Sequence, residues 1–191
     1  GSGGDYGKSV EQTNDNGYII TGSTSSFGNG NTDIYLIKTD IQGDTLWTKT
    51  YGGSGSDYGK SVEQTNDGGY IITGYTLSFG NGGGDLYLIK TDSQGDTSWT
   101  KTYGGVNYDY GHSVQQTNDL GYIVTGMTGG IGGSYVWLIK TNGQGDTSWT
   151  KTYGDGGSIG DFGAEVQQTT DGGYVIAGMK SFNSALSRDV Y

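Results

Sequence analysis

The sequence predicts an all-β fold, specifically a β-propeller built from four-stranded antiparallel blades. The first observation is a repeat, because an Asp-aromatic-Gly motif returns every 52 residues at Asp5, Asp57, Asp109 and Asp161. The second is that each repeat holds four short runs rich in Val, Ile, Thr, Tyr and Trp, separated by turn residues. The third is the lack of any sustained apolar pattern of helical period. The predicted blades span residues 5–56, 57–108, 109–160 and, in part, 161–191.

In the first repeat we predict four strands, named a to d, at Lys8–Thr13, Tyr18–Thr24, Asp33–Thr39 and Thr45–Tyr51. Strands b and c are apolar on both faces, which is typical of strands covered on both sides. One four-stranded sheet cannot cover its own faces, so successive repeats must stack. A β-solenoid is the alternative, but its coils are usually shorter and do not need antiparallel hairpins.

The connections between the predicted strands are of two kinds. The a–b turn (residues 14–17 in the first repeat) carries Asp and ends in Gly, and we expect that terminal Gly to adopt the positive φ. In the c–d turn, Gly43 is expected to be the left-handed residue. The b–c and d–a loops are longer, rich in Gly and variable between repeats. An up-and-down sheet would place both variable loop sets at one end, the expected binding face.

Composition excludes several classes of function. The net charge of −10 leaves no basic surface for phosphate contacts, so we expect no nucleic-acid partner. The chain has no Cys, which excludes disulfides and Cys-based zinc sites. No apolar run approaches the ~20 residues of a membrane helix, so we expect no membrane insertion.

The repeat also resembles a known group of sequences. The motifs GG-x3-DYG-x-SV, GGYIITG-x-T and D-x-YLIKTD-x2-GD-x2-W are similar to the β-propeller repeats of secreted and cell-surface proteins of bacteria and archaea, including the SBBP-type repeats. The resemblance covers essentially the whole chain. It implies an extracellular or cell-surface, non-catalytic module of several blades within a longer protein, and it is uninformative about the ligand.

The fourth repeat contains strands a and b and only the first residues of c. We therefore expect the chain to be a segment of a larger propeller. The alternatives are that partner chains complete the ring, or that incomplete blades join chains into an open assembly, by self-association through the fourth blade.

Aromatic residues of the variable loop face are the candidate ligand-binding residues. Such rings, with Asn and Asp nearby, suit stacking on a glycan or packing on a protein partner. Their alternative role is to fill gaps between blades. The candidates in the b–c loops are Phe27, Phe79 and Ile131, and those in or beside the d–a loops are Tyr58, Tyr108, Tyr110 and Phe162. His112, the only His, replaces a Lys on strand a, the strand expected to line the central channel of the propeller. It is included among the candidate ligand-binding residues and is expected to be a solvated residue of the channel or of a loop.

No catalytic residues, metal ligands or cofactors are predicted. Each motif Asp is expected to hold its d–a loop through backbone hydrogen bonds; binding of Ca²⁺ is left open. Glu11 and Glu63 occupy equivalent positions and therefore suit the two different roles of a glycosidase poorly, so a carbohydrate-active enzyme is a remote alternative. The lysines that end strand c are expected to pack their stems between blades with their ammonium groups in water; they are Lys38, Lys90 and Lys140.

The sequence therefore predicts a non-catalytic extracellular module for recognition or scaffolding, which binds a protein or glycan partner through its variable loops. The alternative function is that of a structural subunit in a ring or filament of several chains. The oligomeric state in solution distinguishes these two functions.

Overall fold

The computed structural model describes residues 2–130, 133–154, 160–181 and 188–190. These residues form strands, turns and loops, and they include no helix. Within this part of the chain no helix is long and apolar enough to cross a membrane. The described ranges contain fifteen strands in four sheets, and all neighbouring strands within a sheet are antiparallel. The predicted all-β class is confirmed.

The four sheets follow the four repeats in chain order, and the strands within each sheet lie side by side in the order of the sequence. Sheet 1 contains β1 (Asp5–Gln12), β2 (Tyr18–Thr24), β3 (Asp33–Thr39) and β4 (Thr45–Tyr51). Sheet 2 contains β5 (Asp57–Gln64), β6 (Tyr70–Thr76), β7 (Asp85–Thr91) and β8 (Thr97–Tyr103). Sheet 3 contains β9 (Asp109–Gln116), β10 (Tyr122–Gly130), β11 (Gly133–Thr141) and β12 (Thr147–Tyr153). Sheet 4 contains β13 (Phe162–Gln168), β14 (Tyr174–Ser181) and β15 (Arg188–Val190).

The first strand of the first repeat differs from its predicted bounds, Lys8–Thr13, because it contains a β-bulge. In β1, Gly7 pairs with Gly22 and Ser9 pairs with Thr21, so Lys8 is an extra residue without a partner. A bulge lets a strand bend and continue, and β1 therefore begins at Asp5, three residues before the predicted start. The bulge recurs in every sheet, at Lys60, His112 and Ala164 in sheets 2 to 4.

The a–b turns form as predicted, but the prediction for their terminal Gly is wrong. The residue with positive φ is the third residue of the turn, Asn16 (φ 66°) in sheet 1 and Leu120 (φ 63°) in sheet 3. The terminal Gly17 is required for another reason. A Cβ there would overlap the carbonyl oxygen of Thr39 and lie 2.7 Å from the Nζ of Lys38. In the c–d turn, by contrast, Gly43 has the expected positive φ, 87°.

The prediction that the strand-c lysines hold their ammonium groups in water is also wrong. The side chain of Lys38 is only 5 % exposed. Its Nζ donates to the carbonyl oxygen of Thr39 at 2.8 Å and lies 2.8 Å from Asp15 Oδ2 in the a–b turn. The end of strand c and the a–b turn meet at the same end of the sheet, so the pair ties them together. Lys90 with Asp67 and Lys140 with Asp119 repeat this arrangement.

The hydrophobic core lies between successive sheets, because the middle strands bury both of their faces. All seven residues of β7 are buried. One cluster joins sheets 1 and 2 through residues such as Ile34 and Ile72, a second joins sheets 2 and 3, and a third joins sheets 3 and 4. The expectation that the repeats stack is thereby confirmed.

The fourth strand of sheets 1 and 2 is largely exposed on one face and supports the c–d turn of the next sheet. Trp47 on β4 packs edge-on against Tyr70, with ring centroids 5.9 Å apart. The hydroxyl of Tyr51 donates to the carbonyl oxygen of Gly95 at 2.7 Å. The Nζ of Lys49 lies 2.6 Å from Asp96 Oδ1 of that turn. These contacts fix the angle between neighbouring sheets.

Candidate binding site at the loop end

The two variable loop sets meet at one end of the stacked sheets. The b–c loop of sheet 1 receives a backbone hydrogen bond from Asp57 to the carbonyl of Thr32 at 2.7 Å, and Asn31 donates to Gly55 of the d–a loop at 2.9 Å. Leu77, in the b–c loop of sheet 2, donates to Ser56 at 2.9 Å. The d–a loop between sheets 1 and 2 is therefore held between the b–c loops of these two consecutive sheets, which gives this part of the loop end a fixed shape.

A row of four tyrosines crosses this end from sheet 2 to sheet 3. Tyr58 on β5 stacks on Tyr75 of β6 with ring centroids 4.7 Å apart. Tyr75 contacts Tyr110 of β9 at 4.2 Å, and Tyr110 contacts Tyr108 at 5.9 Å. Tyr108 is 53 % exposed, and the other three rings are partly buried. The structure thus brings together three of the predicted binding residues, and we name these four residues the tyrosine row.

Tyr75 links the row, and the sequence analysis missed it. Its position in the repeat is occupied by Ser23, Met127 and Met179 in the other sheets. Strand b of the second repeat differs from that of the first at this position alone, and that difference was the signal that could have revealed it. The bulged residue Lys60 places its Nζ 5.5 Å from the centre of the Tyr75 ring, in cation–π geometry. Burial, with smaller effects of Tyr58 and Tyr110, raises the pKa of Tyr75 to about 12, so its phenol stays neutral.

The two predicted loop phenylalanines lie apart from the tyrosine row. Phe27 stacks on Tyr35 of β3 at 5.8 Å, and Phe79 contacts Tyr87 of β7 at 5.7 Å. They are 51 % and 45 % exposed, so each ring has one covered and one open side. The third loop candidate, Ile131, lies outside the described residues.

His112 and Phe162 form a separate contact between sheets 3 and 4. Their rings meet edge-on with centroids 5.1 Å apart, and His112 Nδ1 lies 3.1 Å from the carbonyl oxygen of Gly163. Burial lowers the pKa of His112, the hydrogen bond to Gly163 opposes that effect, and Lys60 lowers the pKa further. The imidazole therefore packs between two sheets, in contrast to the solvated position expected for it.

The motif carboxylates hold the d–a loops, as predicted. Asp57 Oδ2 accepts the backbone N–H of Gly53 at 2.9 Å and the hydroxyl of Ser78 at 2.6 Å. Asp109 Oδ2 accepts the N–H of Gly105 at 2.9 Å. Both carboxylates are buried, with 0 % and 2 % exposure. Their hydrogen bonds connect the loop, the start of strand a and the next b–c loop.

A second buried aspartate faces each of these carboxylates. Asp33, at the start of β3, is 1 % exposed, and Asp85, at the start of β7, is 3 % exposed. Burial raises the pKa of Asp85, a hydrogen bond from Asn81 opposes that rise, and the charge of Asp109 adds to it. In the described residues no group of three or more His, Cys, Asp or Glu side chains is placed to hold a metal ion.

Glu11 and Glu63 are tied to the backbone of the following sheet. Glu11 accepts the N–H of Gln64 at 2.7 Å, and Glu63 accepts that of Gln116 at 3.2 Å. At the next interface the neutral Gln115 accepts the N–H of Gln168 at 2.7 Å in the same way. Burial raises the pKa of Glu63 to about 7, the Gln116 hydrogen bond opposes this, and Glu11 adds to it. A neutral amide fills the same role, so the carboxylate charge is not needed for this link.

Comparisons with known proteins supply no family for the chain. No protein-family model matches it, and a search of curated proteins finds no sequence of significant similarity.

Proposed function

We propose that the chain is a non-catalytic extracellular module for recognition or scaffolding, a segment of a larger surface or secreted protein, in which the four sheets are blades of a β-propeller. The propeller is supported by the strand pairing. Each strand pairs within its own repeat, as in a blade, whereas the coils of a solenoid pair with strands of the neighbouring coils.

The arrangement of neighbouring sheets also supports the propeller. The first strands of successive sheets are neighbours, because Asn14 donates to Gln64 at 2.8 Å and Val62 to Ser9 at 3.4 Å. The fourth strands lie at the opposite edge, where β8 is mostly exposed. Sheets that meet along their first strands and diverge at their fourth strands fit a radial arrangement.

The tyrosine row carries the proposed recognition function. Stacked rings with partly exposed edges form a rigid surface that needs little ordering on binding, since a Tyr side chain has few rotatable bonds. Such a surface takes the apolar face of a sugar ring or an apolar patch on a protein. Lys60 and the carboxamide of Asn107, which donates to the carbonyl of Gly129 at 3.4 Å, add polar groups beside it.

We propose that the chain is not catalytic because each candidate catalytic group already makes a hydrogen bond to the backbone. His112 is tied to a backbone carbonyl, and Glu11 and Glu63 accept backbone N–H groups. Groups engaged in this way act as parts of the scaffold. A residue that performs acid–base chemistry must instead be free to contact a substrate.

Binding to a glycan array and to candidate protein partners tests the recognition function. Tyr75→Ala breaks the row in its centre, and we expect it to weaken binding by about tenfold or more, as loss of a central aromatic contact typically does. The matched control is Tyr6→Ala. Tyr6 is the equivalent of Tyr58 in sheet 1, is 65 % exposed, and pairs with Ser23 in place of a tyrosine.

The control should bind within twofold of the parent protein. If the parent binds no glycan, the sugar ligand is excluded and a protein partner is left. If a ligand is found and Tyr75→Ala binds it as well as the parent does, the tyrosine row is not the recognition surface.

A second function, as a structural subunit of a ring or filament, is favoured by the open face of sheet 1. Val10 is 64 % exposed, whereas its equivalents Val62, Val114 and Val166 are 4–5 % exposed because the preceding sheet covers them. The open face therefore fits another repeat of the same kind, either from a longer form of this chain or from a second copy. Light scattering after size exclusion decides between the two. A concentration-dependent dimer or larger species, lost in Val10→Asp, supports the structural subunit, and a well-behaved folded monomer of these 191 residues contradicts both assembly and the need for further blades.

A further inference from the structure

Two buried carboxylates meet at each of the first two interfaces between sheets. A Cβ added to Gly52 would overlap both Asp33 Oδ1 and Asp57 Oδ2, so the two oxygens face each other across the position of a single atom. The same geometry recurs at Gly104, where an added Cβ would come too close to Asp85 Oδ1 and Asp109 Oδ2. All four aspartates are at most 3 % exposed. We name these the carboxylate pairs.

The lysines of the described residues do not compensate this charge. The ion pairs found there use the turn aspartates, with Lys90 bound to Asp67 and Lys49 bound to Asp96, and the other lysine pairs are equivalent to these two. Like charges held close together away from water repel strongly. Each carboxylate pair therefore lacks a positive charge to balance it.

Hydrogen bonds satisfy part of each carboxylate pair. Asp33 Oδ2 accepts the N–H of Gly30 at 3.1 Å, and Asp57 Oδ2 accepts from Gly53 and Ser78. Asp57 Oδ1 is buried and accepts no hydrogen bond. A buried carboxylate oxygen without a donor is costly, and it is one of the ligand atoms that a hard cation prefers.

The third interface has a different composition that balances its own charge. Tyr135 stands five residues before Lys140, where Asp33 and Asp85 stand before their lysines, so one carboxylate is missing. Lys180 stands two residues after Gly178, where the other sheets have a Thr, and the strand register places it opposite Asp161. Asp161 and Lys180 line the same cavity.

The interfaces thus fall into two kinds. Where the chain supplies an ammonium group, it has one carboxylate. Where it supplies none, it has two carboxylates. Gly-rich loops pack tightly there, since a Cβ on Gly30 in the first interface would overlap the carbonyl oxygens of Gly53 and Gly55. Two carboxylates, backbone carbonyls and water are the oxygen ligands that Ca²⁺ takes in proteins.

We propose that each carboxylate pair binds one divalent cation of the calcium type, which joins two neighbouring sheets, and that Lys180 takes the place of this cation at the third interface. The two sites share the paired carboxylates but differ in one hydrogen bond, because Asp109 Oδ1 accepts the hydroxyl of Thr128 whereas Asp57 Oδ1 accepts none. Their role is to hold the d–a loop and the adjoining b–c loop in place, so it is independent of what the loop end binds.

Calorimetric titration of chelator-treated protein with CaCl₂ tests the proposal directly and needs no variant. We expect two Ca²⁺ per chain. In thermal unfolding, CaCl₂ should raise the melting temperature by several degrees relative to EGTA, because a ligand that binds only the folded state stabilises it. MgCl₂ should have a smaller effect, since Mg²⁺ demands a stricter geometry.

Substitutions then assign the sites. Asp33→Asn keeps an acceptor for the Gly30 N–H and should remove one of the two Ca²⁺, Asp85→Asn should remove the other, and the double variant should bind none. Asp5→Asn is the matched control, because Asp5 is the exposed equivalent of Asp57, and it should bind two Ca²⁺. The proposal is overturned if the parent protein binds neither Ca²⁺ nor Mg²⁺ at millimolar concentration. It is equally overturned if the double variant still binds two Ca²⁺ per chain. A third contradicting result is that Asp33→Asn stabilises the protein to the same extent in Ca²⁺ and in EGTA, because this would show that the two carboxyl groups share a proton.

Discussion

Replacing Glu63 by Gln is expected to remove a pH-dependent loss of stability. Glu63 accepts the backbone N–H of Gln116 at 3.2 Å, between sheets 2 and 3. At the equivalent position between sheets 3 and 4, Gln115 accepts the N–H of Gln168 at 2.7 Å. The chain therefore contains its own example of an amide in this place, and the substitution should preserve the link while removing the charge.

The sign and size of the effect follow from the pKa of Glu63. Burial raises this pKa from about 4.5 to about 7 in the folded protein, so the folded state holds the proton more tightly than the unfolded state does. The resulting stabilisation is fully present below pH 4.5 and is lost as the pH rises to 7. The full shift corresponds to about 3 kcal/mol, and because the side chain is partly exposed, screening by solvent reduces this to about 1–2 kcal/mol. The variant does not suffer this loss.

Urea unfolding of both proteins at a series of pH values measures the difference. We expect equal free energies of unfolding near pH 4, and a variant that is more stable by about 1–2 kcal/mol at pH 8. In a chain of this size that corresponds to roughly 2–4 °C in melting temperature per kcal/mol. Glu11 and His112 also titrate with shifted pKa values. Both are present in the two proteins, and apart from the small interaction of Glu11 with Glu63 their contributions are the same in each. A difference that stays constant from pH 4 to pH 8 would refute the reasoning.

Two further predictions concern the a–b turns. Asp67→Ala leaves the ammonium group of Lys90, whose side chain is 6 % exposed, with a carbonyl oxygen and no carboxylate. The substitution should lower the free energy of unfolding, measured in urea, by about 2–3 kcal/mol. A loss no larger than that of the exposed control Asn66→Ala would contradict the importance of this pair. Leu120→Gly should stabilise the protein by up to about 1 kcal/mol, because Leu120 has a φ of 63° and its side chain is exposed. Leu120→Ala is the control for lost side-chain contacts, since Ala keeps the Cβ that disfavours this φ, and equal melting temperatures of the two variants would show that backbone strain is not the cause.

Much of the fold was predictable because the repeat made each local signal visible several times. The strand bounds of β2, β3 and β4 agree with the sequence analysis, since the turn residues on either side limit each strand sharply. The start of β1 was missed. A bulge at Lys8 has no distinctive sequence, and only the pairing with β2 reveals it.

The candidate site was predicted in part. Tyr58, Tyr108 and Tyr110 were expected at the loop end, but the ring that joins them, Tyr75, lies on strand b, where no binding residue was predicted. His112 was expected in solvent and packs on Phe162. Both differences arise from contacts between sheets, Tyr75 with Tyr110 and His112 with Phe162, which join residues far apart along the chain.

The sequence by itself determined the local structure: strands, turns, a 52-residue period and the stacking required by strands with two apolar faces. These properties depend on neighbours within a few residues, or on the need to bury apolar surface. Only the tertiary structure decided which polar groups meet between sheets. Lys49 of sheet 1 reaches the turn residue Asp96 of sheet 2, and Asp33 faces Asp57. The twist and spacing of stacked sheets set those distances, and residues far apart in the sequence carry no local sign of their contact.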